Sequence, residues 1–205
     1  MGLERRTNPG YLSDGEASFE RDLLTNMVRG IARNQQIQQQ LIILKEKMEA
    51  AMKKLRQKDI ALIDVDANER SISHRLALYI EGQFEGWDVD CEYNRYGYGD
   101  KKAILNEDLL NHWRRFPVSL SDQDAKSIFP DIIVHHRCTN KNLLVVEVKK
   151  STTDWNSELD VQKLVALTLK KYKFAYEFGL RLVISMNDTN DKYEWYQDGN
   201  KFSLP

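Results

Sequence analysis

The sequence predicts an α/β domain preceded by an N-terminal helical arm with coiled-coil character. Two apolar segments, residues 129–135 and 142–149, have the length and composition of β-strands and are separated by a turn. Segments with the apolar spacing of helices stand before and after them. We therefore divide the chain into an N-terminal lead, residues 1–17, a helical arm, residues 18–60, and a domain, residues 61–205.

The arm carries a heptad pattern. Its apolar residues recur at alternating intervals of four and three positions: Ile37, Leu41, Leu44, Met48, Ala51 and Leu55. Gly30 and Asn34 interrupt the pattern toward the N-terminus, which leaves two helices or one bent helix as alternatives. An isolated helix of this kind is only marginally stable in water, so a second copy, another protein or the body of this chain must cover the stripe. We expect a homodimer or a partner protein at the arm, with packing on the domain as the alternative.

The lead and the domain are predicted from turn residues and from periodicity. Residues 1–17 contain Asn8-Pro9-Gly10 and no apolar period, which predicts a flexible segment. Residues 94–127 form a long irregular connection, of a length that is usually mobile or functional. The predicted elements of the domain are a helix from Asp66 to Phe84, a strand from Trp87 to Tyr93, strands Phe129–His135 and Asn142–Lys149, a helix from Glu158 to Phe178 that Gly179 stops, a strand from Leu180 to Met186, and a hairpin from Tyr193 to Phe202 that turns at Asp198-Gly199-Asn200.

Composition excludes several classes of protein. No run approaches the roughly 18 apolar residues of a membrane span, and the polar N-terminal residues do not resemble a signal peptide, so we expect a cytoplasmic protein. Cys91 and Cys138 lack the spacing of zinc or redox motifs. A formal net charge of −1 argues against a protein that coats nucleic acid by bulk attraction.

The two central strands bring charged residues together. Residues two apart in a strand point to the same face, so Glu147 and Lys149 lie side by side. A hairpin register that pairs His135 with Leu143 also pairs Asp131 with Glu147. Because unpaired buried charge is costly, such a cluster predicts a metal ion as partner. Two carboxylates at this spacing suit Mg²⁺ or Mn²⁺, and the backbone carbonyl of Val148 is a further candidate ligand.

Pro130-Asp131, fifteen residues and then Glu147-Val148-Lys149 resembles the motif of the PD-(D/E)xK nuclease superfamily. The resemblance extends over residues 66–186. It implies a restriction-endonuclease-like core, in which helices flank a mixed sheet, and a Mg²⁺- or Mn²⁺-dependent hydrolysis of phosphodiester bonds. The sequence does not distinguish DNA from RNA, single from double strands, or endonuclease from exonuclease action. We expect a DNA endonuclease and, by analogy with the superfamily alone, a role in bacterial antiphage defence.

The resemblance also nominates residues on the flanking helices. Members often carry an acidic residue on the first core helix, and Glu69 is the candidate here, as a metal ligand and catalytic residue. The alternative is a capping box, Asp66-x-x-Glu69, in which Glu69 only bonds to the helix start. Helicase-associated members carry Gln-x-x-x-Tyr on the next helix, but Ala166 follows Gln162 at that spacing, which argues against a helicase-type exonuclease.

Basic residues around the motif are candidates for binding the substrate, since cations neutralise backbone phosphates. We expect the connection 94–127 to face the substrate. The predicted substrate-binding residues are Arg95, Lys101, Lys102, Lys150, Gln162 and Lys163.

The functional alternative is a catalytically silent, nuclease-like module that docks nucleic acid and binds a partner through its N-terminal helices. The intact set of Asp131, Glu147 and Lys149 favours an active enzyme, because a module that only binds does not need all three.

Overall fold

A computed structural model describes residues 14–93, 95–96, 99–100, 130–153, 158–171 and 175–203. The helices are α1 (Asp14–Lys58), α2 (Ile60–Asp64), α3 (Glu69–Glu81) and α4 (Glu158–Thr168). The strands are β1 (Asp88–Cys91), β2 (Arg95–Tyr96), β3 (Gly99–Asp100), β4 (Ile132–His135), β5 (Asn142–Lys150), β6 (Phe178–Ile184), β7 (Lys192–Gln197) and β8 (Asn200–Phe202). The predicted lead up to residue 13 and residues 101–127 of the predicted connection lie outside the described residues.

The fold is α/β and its centre is a six-stranded mixed sheet in the order β1-β4-β5-β6-β7-β8. Only β5 and β6 are parallel within it, and α4 lies between them in the chain, as a parallel connection requires. Helix α3 packs against β1, β4 and β5, and α4 packs against β5, β6 and β7. The strands β2 and β3 form a separate pair. The sequence prediction of an α/β domain is confirmed.

The arm is one continuous helix. Helix α1 runs from Asp14 to Lys58 without a break at Gly30 or Asn34, and its first residues belong to the segment that the sequence predicts to be a flexible lead. The chain divides into two units, Met1–Leu44 and Lys45–Pro205, so the boundary falls inside α1.

The second half of α1 is covered by its own domain. Met48, Ala51 and Leu55 of the heptad stripe are buried. In the same stretch Lys47 donates a hydrogen bond to the carbonyl of Gln83, and Arg56 donates one of 3.0 Å to the carbonyl of Ser185. For residues 45–58, the cover that the stripe needs therefore comes from the body of this chain.

Helix α4 is shorter than predicted and ends at Thr168 instead of Phe178. The Thr168 hydroxyl donates back to the carbonyl of Leu164 and accepts a hydrogen bond from the backbone N–H of Gly199, while the N–H of Lys170 donates to Asp198. These contacts tie the backbone beyond Thr168 to the β7–β8 turn. Gly179 is accordingly not a helix stop but a residue of β6.

The other boundaries differ by a few residues. Helix α3 starts at Glu69 rather than at Asp66, because Asn68 caps it and accepts a hydrogen bond from the N–H of Ser71. Strands β1, β4 and β6 are shorter than the predicted strands or displaced from them. The terminal hairpin is confirmed, and positive φ angles of 46° at Asp198 and 74° at Gly199 are those of a type I′ turn.

Among the described helices, none is both long and apolar enough to cross a lipid bilayer.

At Gly179, α4 packs closely against the sheet. A Cβ atom there would lie 3.0 Å from Cγ2 of Thr168, 3.2 Å from Cδ2 of Leu164 and 3.3 Å from Cβ of Tyr196. We expect Gly179→Ala to lower the free energy of unfolding by about 1–3 kcal/mol, through overpacking. Urea denaturation measures this loss. The control is Gly30→Ala, where a Cβ meets no atom within 4 Å and the helix propensity of Ala predicts no loss. Equal stability of the Gly179 variant and the wild type would contradict the tight packing.

Candidate functional site

The β4–β5 hairpin brings Asp131 to Glu147. The register pairs Ile132 with Val146 and Ile133 with Val145. Asp131 directly precedes this paired stretch and Glu147 directly follows Val146, and their direct pairing stays a prediction. The backbone N–H of Val148 donates a hydrogen bond of 2.7 Å to Oδ2 of Asp131. The predicted pairing of His135 with Leu143 is wrong, because a β-bulge sets His135 opposite Asn142. The bulge lies at the far end of the hairpin and leaves the acidic end in register.

Glu147 is the most buried acid of this end of the sheet, at 1% exposure. Its Oε2 accepts a hydrogen bond of 3.1 Å from Nζ of Lys163. Its Oε1 is buried and has no hydrogen-bond partner among the described residues. Burial raises the pKa of Glu147 to about 8, against the partial compensation of Lys163. One oxygen of this carboxylate is therefore buried without a protein hydrogen bond to offset its desolvation.

Lys149 lies between two acids from different helices. Its Nζ is 3.2 Å from Oε2 of Glu69 and 3.4 Å from Oδ2 of Asp160. The second contact is an ion pair without hydrogen-bond geometry, since Oδ2 of Asp160 has no hydrogen-bond partner among the described residues. Burial alone would lower the pKa of Lys149, but Asp160 and Glu69 outweigh it and raise that pKa. Lys149 is therefore a charged ammonium.

Glu69 belongs to the site and not to a helix cap. Its Oε1 accepts a hydrogen bond of 3.2 Å from the backbone N–H of Lys150, and its Oε2 contacts Lys149. Asn68 fills the capping position. The capping box of Asp66 and Glu69 is thus wrong, because Asp66 bonds instead to Nζ of Lys150 at 2.8 Å.

Asp160 is the residue of the site that the sequence analysis misses. It is 3% exposed and lies in the first turn of α4, where acids usually only favour the helix dipole. One signal was present in the sequence. Asp160 precedes Leu164 and Leu167 by four and seven positions, so it shares the buried face of the helix with them.

The charges of the site do not cancel. Four carboxylates, of Glu69, Asp131, Glu147 and Asp160, face two ammonium groups, of Lys149 and Lys163. Burial also raises the pKa of Asp131, although the Val148 N–H and the two lysines lower it. With every group ionised the site carries two excess negative charges, which is the charge that one divalent cation would balance.

A ready-made metal cage is absent from the described part of the chain: no three His, Cys, Asp or Glu side chains converge there as ligands. The acids that do meet are Asp131 and Glu147, with Glu69 and Asp160 held to the lysines. Mg²⁺ is commonly bound by one or two carboxylates, waters and substrate phosphates rather than by an all-protein cage. The donor set, with its orphaned Oε1, therefore fits such an ion.

The predicted substrate-binding residues are distributed differently. Lys163 lies in the site and Gln162 beside it on α4 is buried at 9% exposure. Lys150 is paired with Asp66. The backbone of Arg95 lies in β2, but its side chain, like Lys101 and Lys102 as a whole, lies outside the described residues. Val148 contributes its N–H to Asp131, and the role of its carbonyl stays a prediction.

Comparison of the chain with protein-family models, curated proteins and solved structures finds no match.

The burial of Glu147 predicts how the stability of the metal-free protein depends on pH. A pKa of about 8, above the ordinary value of 4.5, means that the folded state holds the proton more tightly than the unfolded chain. The stabilisation is complete below pH 4.5 and is lost as the pH rises toward 8. We expect Glu147→Gln, which cannot ionise, to gain on the order of 2–4 kcal/mol in free energy of unfolding relative to wild type between pH 5 and pH 8.

Urea titrations in EDTA at both pH values measure this difference. Glu81→Gln, an exposed acid at the end of α3, is the control and should follow the wild type. A wild type and a Glu147→Gln variant that lose stability in parallel would show that Glu147 is not buried as an acid of raised pKa.

Proposed function

We propose that this chain is a metal-dependent nuclease with a restriction-endonuclease-like core, similar to the PD-(D/E)xK superfamily, that hydrolyses phosphodiester bonds of DNA as an endonuclease in the cytoplasm. The observation that carries the proposal is the buried Glu147 carboxylate, whose Oε1 has no hydrogen-bond partner among the described residues. It stands beside Asp131 and two lysines at the end of the central strands.

A purely structural role does not account for this cluster. Leaving a carboxylate oxygen buried without a partner costs free energy, and a second and third acid close by add repulsion. Gln or an apolar residue at position 147 would avoid that cost. Residues that keep such a cost are frequent at functional sites, where the missing partner is a ligand or metal.

Asp131 and Glu147 would hold a Mg²⁺ or Mn²⁺ ion, and the carbonyl of Val148 is a further proposed ligand. Glu69 would lie near the ion, because it contacts Lys149. When bound, such an ion lowers the pKa of a water molecule and offsets the charge that develops on the phosphoryl group. The N–H of Val148 fixes the Asp131 carboxylate, so Asp131 is oriented before any ion arrives. Glu69 and Asp160 restrain the ammonium of Lys149 from two sides.

The two lysines have distinct neighbours, which suggests distinct roles. Lys163 contacts Glu147 directly and is 3.8 Å from Asp160, whereas Lys149 contacts Glu69 and Asp160. We assign Lys149, as a charged and compact cation, to orienting the attacking water or to holding the scissile phosphate. Lys163 balances the charge of Glu147. It could instead contact a substrate phosphate if that phosphate took the place of Glu147 as its partner.

We further propose that the N-terminal arm binds a second copy of the chain or a partner protein. Six large apolar side chains in its first half are 51–69% exposed: Phe19, Leu23, Leu24, Met27, Val28 and Ile31. Such a stripe on a helix commonly binds another apolar surface. The same observation favours the alternative function, a silent nuclease-like module that docks nucleic acid and recruits a partner. A role in antiphage defence rests on analogy with the superfamily.

Cleavage assays separate the enzyme from the silent module. We expect supercoiled plasmid or linear single-stranded DNA to be cut with Mg²⁺ or Mn²⁺ and not with EDTA. Asp131→Asn and Glu147→Gln keep the shape of each side chain but remove its charge, so each should reduce the rate by about 100-fold or more. Lys149→Met should do the same, and Lys163→Met should have a smaller effect.

The matched controls are Glu81→Gln and Lys170→Met. Both residues are exposed: Glu81 ends α3, and Lys170 follows the end of α4. Both should cut like the wild type. DNA binding without cutting under any condition, unchanged in all variants, would favour the silent module. Cutting that survives Asp131→Asn and Glu147→Gln would remove this site from the reaction.

A further inference from the structure

A small pocket opens beside Asp131, between α3 and the end of β1. It has a volume of about 180 Å³ and is lined, among the described residues, by Arg70, Ser73, His74, Cys91, Glu92 and Asp131. Positions 70, 73 and 74 share one face of α3 because neighbours three and four apart lie together on a helix. The pocket therefore adjoins the proposed reaction centre through Asp131 itself.

One buried polar group among the lining residues has no hydrogen-bond partner among the described residues. Ser73 is 3% exposed, and its hydroxyl is buried without a hydrogen bond among the described residues. A buried hydroxyl normally has a protein or water partner, since leaving it unpaired costs free energy. Ser73 thus lines the pocket as a residue, while its hydroxyl lies beneath the accessible surface.

The charges around the pocket exclude a phosphate. Two carboxylates, of Asp131 and Glu92, belong to its lining, and both would repel an anion. The guanidinium of Arg70 is already paired, with Nε 2.6 Å from Oε1 of Glu92. Glu92 adopts a φ of 48°, in the left-handed region, and its backbone N–H bonds to the carbonyl of Asp131 at 3.3 Å. A neutral group fits better than an anion.

The remaining chemistry is that of a nucleobase. Bases in single strands stack on imidazole rings and on guanidinium planes, and they hydrogen-bond through their edges. His74 and Arg70, which line the pocket, carry side chains of these two kinds. A volume of about 180 Å³ is below that of pockets for drug-sized ligands, about 300–1,000 Å³, and suits one base rather than two. A larger cavity of about 660 Å³, at α1 and residues 189–193, shares no residue with this one.

We propose that this pocket, formed by Arg70, Ser73, His74, Cys91, Glu92 and Asp131, binds the unstacked base of the nucleotide next to the cleaved bond. The inference rests on the proposed nuclease function and narrows its substrate to single-stranded or locally unpaired nucleic acid, because a paired and stacked base cannot enter a side pocket.

The test compares single-stranded oligonucleotides that are intact with ones that carry an abasic nucleotide at each position in turn. Ser73→Leu fills the pocket, and His74→Ala removes one stacking plane from an exposed position without disturbing the core. Leu78→Ala, an exposed residue further along α3, is the control. Cleavage kinetics give KM and kcat, and fluorescence anisotropy in EDTA gives binding with no cutting.

We expect Ser73→Leu to raise KM for the intact strand about 10-fold, as the loss of one stacked base predicts, with kcat near the wild-type value. The larger side chain at this buried position should also lower the urea midpoint. His74→Ala should raise KM about fivefold by the same reasoning. One abasic position next to the cut should raise KM for the wild type and make the Ser73→Leu variant and the wild type equal. If Ser73→Leu does not fold, the His74→Ala result decides.

Two results would overturn the proposal that the pocket binds a base: equal KM values for the wild type and both pocket variants, or tolerance of an abasic nucleotide at every position. Cleavage in the same assay would leave the nuclease proposal standing. If no oligonucleotide is cut, the nuclease proposal fails, and anisotropy still decides the pocket. A wild-type preference for intact over abasic strands that Ser73→Leu abolishes would support it. Equal binding of both strands would overturn it.

Discussion

The Glu147 carboxylate, buried at the end of the central strand β5, is the constraint around which this end of the domain is arranged. A charged group in that place costs free energy unless opposite charge and hydrogen bonds surround it. Lys163 reaches it from α4, and Lys149, two positions on in the same strand, is held by acids from α3 and α4. Ion pairs thus hold both helices to the same end of the central strands. In these ion pairs the acidic groups outnumber the basic ones.

The local part of this arrangement was predictable from sequence, and the non-local part only in places. Strand alternation and hairpin register depend on neighbouring residues, so Asp131, Glu147 and Lys149 were found together. Asp160 was missed because its place in the site depends on how α4 packs on the sheet. The end of α4 was missed for a similar reason: Thr168 bonds to the β7–β8 turn, a contact 31 residues away that no local pattern encodes.

The two halves of α1 carry apolar residues that differ in burial. The second half, at Met48, Ala51 and Leu55, is buried by the domain, which was one of the alternatives that the sequence left open. The first half of α1 instead exposes another set of apolar residues, including Leu24 and Ile31. The spacing of apolar residues predicts that one face of a helix is apolar, but it does not predict which surface covers that face. The homodimer or partner therefore remains a proposal for the first half alone.

The most direct test of the central claim is calorimetric titration of the full chain with Mn²⁺ and with Mg²⁺, without nucleic acid. The account predicts about one divalent ion per chain, bound at least 10-fold more weakly by Asp131→Asn and by Glu147→Gln, since each removes one of the two proposed carboxylate ligands. Glu81→Gln should bind like the wild type. No binding by the wild type, or equal binding by all four proteins, would contradict the claim that the acidic site around Glu147 binds a metal ion.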